Sequence, residues 1–424
     1  MDRKNYKLKI KGGNKLKGVV FVQGSKNAIL PMIAAALIPK KGYTVIRNVP
    51  PLNDILIAFD IARSVGAEIQ YFEKEQTVAI NASNLSQVEL PVELTGLLRA
   101  SVLFIPPVLL RMGKVKLPSV GGCPLGERKL DFHYRGFVRL GASINDKDDF
   151  EISAKDLKGN NLYLDFPSHT GTENLIMAAC LSKGETIIEN AASDPEIVDF
   201  GNFLIKMGAQ IKGIGTRTIY IKGVEELKPV DYVAMPDRLD SGFFIIAAGI
   251  TKSNITLIRS ELNHLRLLRE KLYQMGIKLV QEGSLVHVIA SEKLEPINIV
   301  TCPYPGFATD FQPGIMAISC LANGKSYIRE RIFEDRFNQA YELNKMGAKI
   351  DVIDSSLAIV NGPVKFMGTS VTSHDIRAGV SLILAAIAAE GETIIDNVYQ
   401  IDRGHYAVET RLGQLGADIE RIPI

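Results

Sequence analysis

The stretch of this sequence with the clearest chemical potential runs from Pro118 to Arg128. It combines three glycines and two prolines with one thiol, Cys123, and it ends on a cation, Arg128. Glycine permits close backbone approach to a ligand, and proline stiffens the path of a loop. A neighbouring cation and free backbone N–H groups lower the pKa of a thiol. The pattern therefore fits a reactive cysteine in an anion-binding loop, although an exposed turn with an incidental cysteine would have the same composition.

Cations also recur at the predicted starts of apolar helices. Capping explains the serines and threonines at these starts, but the helix dipole opposes a cation there. If the buried helices of a domain run parallel, their starts converge on a cleft suited to phosphate or carboxylate. Four cations occupy such starts: Lys26, Arg99, Arg238 and Arg377.

Three further charged residues are candidates for the same cleft. Arg336 lies twelve residues after Gly324 and Arg403 lies twelve residues after Gly391, and each arginine follows an aspartate. A surface ion pair worth under about 1 kcal/mol is an equally good interpretation of these two arginines. Asp310 follows a segment rich in proline and glycine at a predicted helix start. Among cations it would be ionised and could act as a base, although an N-cap role fits it equally well.

Composition limits the other possibilities. A net charge of +2 and 23% charged residues give no reason to expect nucleic acid or an anionic membrane as a partner. The start of the chain has no apolar signal core, and no apolar run is long enough to span a bilayer. The four cysteines are widely scattered, and the six histidines include no HExxH motif, so we expect neither disulfides nor a metal. We therefore expect a cytoplasmic protein.

One phrase, a hydrophobic residue followed by Gly and usually Ala, recurs six times at intervals of 67 to 75 residues. A glycine between a helical and a strand-like segment indicates a helix C-cap that leads into a strand. Such a repeat indicates six copies of one supersecondary unit. The repeated glycines are Gly66, Gly141, Gly208, Gly276, Gly347 and Gly416.

A second phrase, an apolar helix and then Gly before a β-rich run, follows the same period. In the fourth copy we expect Asn254 to replace the glycine, because Asn tolerates a left-handed conformation. Each unit is predicted to contain a strand, a buried helix, a strand, an amphipathic helix and a strand. The buried helices are predicted from segments that are apolar nearly all round, such as Asn27–Leu37, Ala100–Leu110, Leu175–Leu181 and Val380–Ala389.

These residues together resemble the UDP-N-acetylglucosamine 1-carboxyvinyltransferase family of enolpyruvyl transferases. The resemblance covers essentially the whole chain, and the sister family of enolpyruvylshikimate-phosphate synthases lacks the cysteine loop. It rests on residues 24–28, 98–101, 121–128, 190–199, 236–238, 305–312, 335–337, 375–378 and 401–404.

The resemblance implies an α/β fold, a two-domain inverse α/β barrel built from six βαβαββ-like units, three in each domain. One domain would contain residues 1–25 and 236–424, and the other would contain residues 26–235. Closure of the cleft between them would bring the Cys123 loop onto the substrates.

The resemblance also implies the reaction. Phosphoenolpyruvate would give its enolpyruvyl group to the 3′-hydroxyl of UDP-N-acetylglucosamine, with release of phosphate, in the first committed step of peptidoglycan synthesis. No cofactor is implied. Cys123 would protonate the methylene carbon and could form a covalent adduct, and Asp310 would take the proton from the sugar hydroxyl. Lys26, Arg128 and Arg403 would hold phosphoenolpyruvate, and Arg336 and Arg377 would complete the basic wall.

The nucleotide sugar would be held by a second set of residues. That set comprises Asn27, Arg99, Arg128, Lys129, Leu130, Asp131, Phe132, Phe166, Ser168, His169, Asp310 and Ile332.

Several positions depart from the family pattern: His169-Thr170 stands where Val-Gly is common, Asp194 and Asp240 where Glu is usual, and Leu103 where a larger aromatic is common. We expect these changes to affect the acceptor rather than the chemistry. Two alternatives therefore stay open: a paralogue that acts on another nucleotide or on shikimate 3-phosphate, and a regulatory protein that binds nucleotide sugar. An acid and a base together favour an enzyme. The sequence does not indicate an oligomeric state.

Overall fold

The protein is represented by a computed structural model that describes residues 6–118, 120–121, 130–145 and 150–424. The described residues form two compact units. The first unit contains residues 6–23 and 236–424, and the second contains the described residues between 24 and 235.

The strands are short, mostly three to six residues long. In chain order they are β1 (Tyr6–Lys11), β2 (Lys17–Phe21), β3 (Thr44–Arg47), β4 (Glu68–Phe72), β5 (Thr77–Asn81), β6 (Lys114–Lys116), β7 (Ser143–Asn145), β8 (Glu151–Ser153), β9 (Asn161–Tyr163), β10 (Glu185–Glu189), β11 (Gln210–Lys212), β12 (Thr218–Lys222), β13 (Asp231–Val233), β14 (Asn254–Ile258), β15 (Lys278–Glu282), β16 (Leu285–Ile289), β17 (Ile299–Val300), β18 (Lys325–Arg329), β19 (Ile350–Asp354), β20 (Leu357–Asn361), β21 (Ser370–Thr372), β22 (Glu392–Asp396) and β23 (Asp418–Pro423).

The helices alternate with these strands. They are α1 (Lys26–Ala35), α2 (Asn53–Ser64), α3 (Val92–Thr95), α4 (Ile105–Met112), α5 (Asp131–Arg139), α6 (His169–Cys180), α7 (Pro195–Lys206), α8 (Arg238–Ile250), α9 (Arg266–Gln274), α10 (Gln312–Ser319), α11 (Asn338–Lys345), α12 (Ile376–Ala388), α13 (Tyr399–Asp402) and α14 (Val408–Gln414), with short 3-10 helices at Arg99–Phe104, Leu262–Leu265 and Thr309–Phe311. Among the described residues, no helix combines the length and apolar character needed to cross a bilayer.

The sheets of the first unit share one pairing pattern. Their strand orders are β15-β16-β14-β2, β17-β18-β20-β19 and β21-β22-β1-β23. In each sheet one parallel pair adjoins antiparallel pairs. The first strand of the chain, β1, pairs antiparallel with both β22 and β23 near the C-terminus. The N-terminal strand therefore completes the sheet that the C-terminal segment begins.

The second unit has a related arrangement. Its four-stranded sheets have the orders β13-β3-β5-β4 and β11-β12-β10-β9, and each contains one parallel pair. The third sheet has the order β6-β8-β7. There an isolated parallel bridge between Glu89 and Lys116 stands in the position of the fourth strand.

The apolar helices form the centre of each unit. In the first unit, α8, α10 and α12 pack against one another, and all thirteen residues of α8 are buried. In the second unit, α4 packs against α6, and the 3-10 turn that precedes α4 contacts both α1 and α6. A helix without a polar face must be covered on all sides, which is the position predicted for these segments. Their N-terminal turns carry the predicted cations.

The prediction of helix C-caps at the repeated glycines is confirmed. All six glycines have positive φ, between 93° and 110°. Each lies two residues after the last residue of an outer helix, as at Gly66 after α2. Glycine adopts this left-handed conformation without the Cβ clash that disfavours it in other residues. The prediction for Asn254 is wrong, because Asn254 begins β14 and the left-handed residue of that turn is Lys252, with φ 50°.

Candidate active site

In the first unit, four arginines approach or begin the central helices while remaining almost inaccessible to solvent. Arg238 is the first residue of α8, and Arg377 lies in the first turn of α12. A buried charge destabilises the fold unless an opposite charge or hydrogen-bond partners lie nearby. The exposed fractions are 7% for Arg238, 3% for Arg336, 7% for Arg377 and 6% for Arg403.

Asp310 lies within this group of cations. Its Oδ1 accepts a hydrogen bond from Nε of Arg377 at 2.7 Å. Burial favours the neutral acid, but the charges of Arg377, Arg336 and Arg238 outweigh it and hold the pKa of Asp310 well below the usual value. Asp310 is therefore ionised at neutral pH. Its side chain is 35% exposed, so the carboxylate remains accessible to a ligand.

Asp375 organises the start of α12. Its Oδ1 accepts from the backbone N–H groups of Arg377 and Ala378 at 2.8 and 3.1 Å, as expected of an N-cap aspartate. The same oxygen lies 3.6 Å from Nη1 of Arg336. One carboxylate thus fixes both the backbone of Arg377 and the neighbouring guanidinium.

Arg336 retains unused binding capacity. Its Nε is buried and has no hydrogen-bond partner in the described parts of the chain. An unsatisfied buried donor costs about 1–3 kcal/mol, and a ligand oxygen would remove that cost. This atom is therefore a candidate contact for an anionic substrate.

Arg403 and Ile332 both lie outside the regular helices and strands. Arg403 follows α13 and donates from Nη1 to the side-chain oxygen of Gln400 at 3.1 Å. Ile332 is half-buried, and its backbone N–H donates to Oε1 of Glu330 at 2.8 Å. Glu330 is itself buried, so the loop before Arg336 is tied to the core.

In the second unit, Lys26 is the first residue of α1. Its Nζ donates to Oδ2 of Asp54 on α2 at 2.9 Å, with side-chain exposures of 10% and 4%. The carboxylate explains how a cation can be buried at a helix start despite the dipole. The turn before it requires glycine at position 24, because a Cβ there would lie 1.7 Å from the backbone oxygen of Asn48. Asn27 follows on a half-buried face of the helix.

Arg99 begins the 3-10 turn before α4 and is half-buried. It lies close enough to His133 that burial and the Arg99 charge together lower the pKa of His133 to about 3. His133 is therefore neutral, and its Nδ1 lies 2.9 Å from the side-chain nitrogen of Asn174. The amide of Asn174 also donates to the backbone oxygen of Val102 at 2.9 Å. Neither His133 nor Asn174 was predicted, because no motif connects residues so far apart in sequence.

The predicted uridyl side begins at α6. Ser168 caps this helix by accepting from the backbone N–H of Gly171 at 3.2 Å. Nδ1 of His169 lies 3.2 Å from Oε1 of Glu173. Burial disfavours a charged imidazole, but Glu173, Asp194 and Glu196 outweigh it and raise the pKa of His169 to about 10.

Single ligand atoms of His169, Asp194 and Glu196 lie within 4.8 Å of one another. A protonated histidine among carboxylates accounts for this proximity by charge pairing alone. The two family departures, His169 and Asp194, thus belong to one cluster, although they are 25 residues apart.

The other predicted nucleotide-sugar residues lie at the start of α5. Leu130 precedes the helix, and Asp131 and Phe132 begin it. Arg135, one turn later, lies 3.3 Å from Asp131 and has its guanidinium carbon 5.6 Å from the centre of the Phe132 ring. These are exposed or half-buried side chains whose mutual contacts contribute little to stability.

Cys123, Arg128 and Lys129 lie outside the described residues. Gly121, the last described residue before them, donates its N–H to the backbone oxygen of Thr95 at 2.9 Å. Two other cysteines, Cys180 and Cys320, are fully buried, and burial raises the pKa of each thiol to about 12. Those two thiols are therefore unsuited to nucleophilic or acid chemistry.

The structure thus brings the predicted residues together in separate groups. Asp310, Arg336 and Arg377 form one cluster in the first unit, with Arg238 added. In the second unit, Lys26, Arg99 and His169 each have their own partners. Asp240, another of the family departures, lies 3.5 Å from His405, which contacts Arg377.

Comparisons with known proteins agree with these observations. A family model described as EPSP synthase (3-phosphoshikimate 1-carboxyvinyltransferase) matches residues 10–412. Curated proteins named UDP-N-acetylglucosamine 1-carboxyvinyltransferase are similar over 98% of this chain. That of Thermobifida fusca is 49% identical, with 98% of its own length covered, and that of Trichlorobacter lovleyi is 45% identical, with 99% covered. A third from Halalkalibacterium halodurans is 40% identical, with 94% covered.

Solved structures show the same relationship at the level of fold. The enolpyruvyl transferase NikO from Streptomyces tendae has a TM-score of 0.89 and 25% identity, with 99% of both chains covered. An EPSP synthase from Acinetobacter baumannii has a TM-score of 0.78 and 20% identity, with 98% of this chain and 100% of that chain covered. The fold is therefore α/β, and the chain belongs to the enolpyruvyl transferase family, among the UDP-N-acetylglucosamine 1-carboxyvinyltransferases.

Proposed function

We infer that this protein transfers the enolpyruvyl group of phosphoenolpyruvate to the 3′-hydroxyl of UDP-N-acetylglucosamine and releases phosphate. The reaction is the first committed step of peptidoglycan synthesis. The observation that carries this inference is 40–49% identity to three transferases of that name over 98% of the chain. We also propose a cytoplasmic location, where phosphoenolpyruvate is produced. The finer architecture that we propose is an inverse α/β barrel of six βαβαββ-like units.

In the proposed mechanism, Cys123 acts as the acid and Asp310 as the base. The thiol proton goes to C3 of phosphoenolpyruvate, and the electron pair of the double bond forms the new C–H bond. C2 becomes electrophilic, and the sugar oxygen bonds to it while its proton passes to Asp310. The C2–O bond to phosphate then breaks and its electron pair leaves with phosphate. The Cys123 thiolate takes back a proton from C3, and the C–H electron pair restores the double bond. The ionised state of Asp310 is compatible with this role, because only the carboxylate form can accept a proton.

The cations are proposed to bind phosphoenolpyruvate. Lys26, Arg128 and Arg403 would contact its phosphate and carboxylate, with Arg336 and Arg377 beside them. Support comes from the burial of the described members of this group and from the unsatisfied Nε of Arg336. Fixed cations in a site with little water stabilise charge that develops during the reaction.

The nucleotide sugar is proposed to contact a second group of residues. Ser168 and His169 would lie near the uridyl group, and the protonated state of His169 supports an interaction with an acceptor oxygen. The remaining proposed contacts are Asn27, Arg99, Arg128, Lys129, Leu130, Asp131, Phe132 and Ile332.

Phosphate release tests this function directly. With phosphoenolpyruvate as donor, we expect turnover with UDP-N-acetylglucosamine and none with UMP or shikimate 3-phosphate. Turnover with either of the other acceptors alone would favour the paralogue. Binding of the nucleotide sugar without phosphate release from any acceptor would favour the regulatory protein.

A further inference from the structure

His405 lies between two charged groups of the first unit. It is 1% exposed and follows the short helix α13. Its Nε2 lies 3.2 Å from Nη1 of Arg377 on α12, and its Nδ1 lies 3.5 Å from Oδ1 of Asp240 on α8. The imidazole therefore connects the starts of two central helices. Nothing in the function proposed above assigns it a role.

The partners fix the tautomer of His405. The guanidinium of Arg377 can only donate, so Nε2 of His405 must accept and Nδ1 must carry the proton. Asp240 is the carboxylate on that side, with Oδ1 3.5 Å from Nδ1, and Nδ1 has no hydrogen-bond partner among the described residues. Burial and the nearby charges of Arg377 and Arg411 favour the neutral ring, against the effect of Asp240, and they lower the pKa of His405. The ring of Phe243, with its centre 5.0 Å away, covers the imidazole.

The Asp240 end of this connection is rigid. Asp240 is fully buried and accepts from both Nη atoms of Arg411 on α14 and from the backbone N–H of Gln23. The side chain of Gln23 donates to the backbone oxygen of Gly404 at 2.9 Å and accepts from the N–H of Tyr406 at 3.0 Å. Both neighbours of His405 are thus held, so the imidazole has a fixed position.

The other end reaches the proposed base. Arg377 uses Nη1 for His405 and Nε for Asp310. Because a guanidinium is planar, an acceptor at Nη1 restricts the plane in which Nε can donate. We propose that His405 is a positioning residue that sets the orientation of Arg377 and, through it, the carboxylate of Asp310. The proposal rests on the role of Asp310 in the function inferred above.

Three substitutions separate this role from simple packing. In His405→Gln the amide oxygen can occupy the position of Nε2 and accept from Arg377. In His405→Asn the shorter amide reaches only the position of Nδ1, so it faces Asp240 and loses the hydrogen bond from Arg377. His405→Phe fills the space and cannot accept from Arg377. The same His→Asn change at the half-buried His287 of β16 is the control.

We expect kcat to fall roughly 10- to 100-fold in the Asn and Phe variants, because small misplacements of catalytic groups have effects of this size. The Gln variant should stay within about threefold of wild type, and the His287→Asn control should be unchanged. Melting temperatures should show that the Asn and Gln variants of His405 are equally folded, so that the comparison does not depend on the Phe variant.

Equal kcat in folded Gln and Asn variants of His405 would overturn the proposal, as would wild-type kcat in a folded Phe variant. Absence of enolpyruvyl transfer by the wild-type protein would instead refute the proposed function. The two failures are therefore distinguishable.

Discussion

Replacing Asp310 by Asn tests the proposed base with little change of shape. The Asn side chain can still accept a hydrogen bond from Nε of Arg377, which lies 2.7 Å from the carboxylate, but it cannot take a proton. General bases contribute about 10²–10⁴-fold to rate. We therefore expect kcat to fall by that factor, or about 3–5 kcal/mol in the activation free energy.

Unfolding of the Asp310→Asn variant would not account for a fall in kcat of this size. The Asp310 side chain is 35% exposed, so its ion pair with Arg377 is partly screened and contributes only about 1 kcal/mol. The variant should remain folded at the assay temperature. Because its folded-state pKa is depressed, Asp310 contributes stability above its unfolded value of about 3.9, and this contribution is lost as pH falls further. The difference in unfolding free energy between wild type and variant should thus be constant between about pH 8 and pH 5 and shrink below about pH 4.

The assay is steady-state phosphate release with both substrates saturating, and Asp375→Asn is the matched control. That change also removes one negative charge from the cluster, but Asn still caps α12 through the two backbone N–H groups that Asp375 holds. We expect the kcat of this control variant to fall by less than about tenfold, because Asp375 only holds the cluster in place. If Asp310→Asn kept kcat within that same margin, Asp310 could not be the base.

Four other perturbations test the remaining assignments. His169→Val should destabilise the protein by about 3 kcal/mol, because it leaves the buried Glu173 without its cation. Chemical denaturation should show the full loss of unfolding free energy below about pH 6.5. That loss should shrink as pH rises through about 10, the pKa of His169. Lys26→Met should abolish phosphoenolpyruvate binding and lower stability by about 3 kcal/mol, because Asp54 stays buried without a cation. Adding Asp54→Leu should restore stability but not binding. If calorimetry showed restored binding in the double variant, the role of Lys26 would be purely structural. An epoxide analogue of phosphoenolpyruvate should alkylate Cys123, and mass spectrometry that found equal labelling of all four cysteines would contradict a specially activated thiol. Cys123→Ala should have no turnover and Cys123→Asp some, since a carboxylic acid can also donate a proton.

The ends of the outer helices were predictable from the sequence because glycine adopts positive φ more readily than other residues. The six repeated glycines all adopt positive φ where a helix ends and a strand follows. Asn254 shows the limit of this reasoning. Asn254 begins β14, just as Glu185 begins β10. The residue that corresponds to Gly184, directly before β10, is therefore Ser253, one position before the predicted residue.

The cations of the site were predictable because they violate a rule. A lysine or arginine at the start of an apolar helix opposes the dipole, so a reason for its presence had to be sought. The structure supplies part of that reason in Asp54, which lies 2.9 Å from Lys26, and in Asp310, which lies 2.7 Å from Arg377. These partners are 28 and 67 residues distant in sequence, so no local pattern could have paired them.

His133 and His405 were missed for a related reason, whereas the family resemblance names His169. An isolated histidine has no spacing signature, and its chemistry depends on neighbours that only the fold assembles. His133 is neutral beside Arg99, and His405 is neutral beside Asp240 and Arg377. The one available signal was position, because His405 follows Arg403 by two residues.

Asp240 shows how a family departure can matter without contacting a substrate. A change at this position acts on Arg411 and His405, which share its carboxylate, and His405 in turn holds Arg377. Asp240, His405 and Arg377 are buried and Arg411 is partly buried, so a shift at one end is little absorbed by solvent. The orientation of the proposed base is therefore a property of the whole buried chain from α14 to α12. Substitutions at Asp240 or Arg411 should change kcat more than the KM of either substrate.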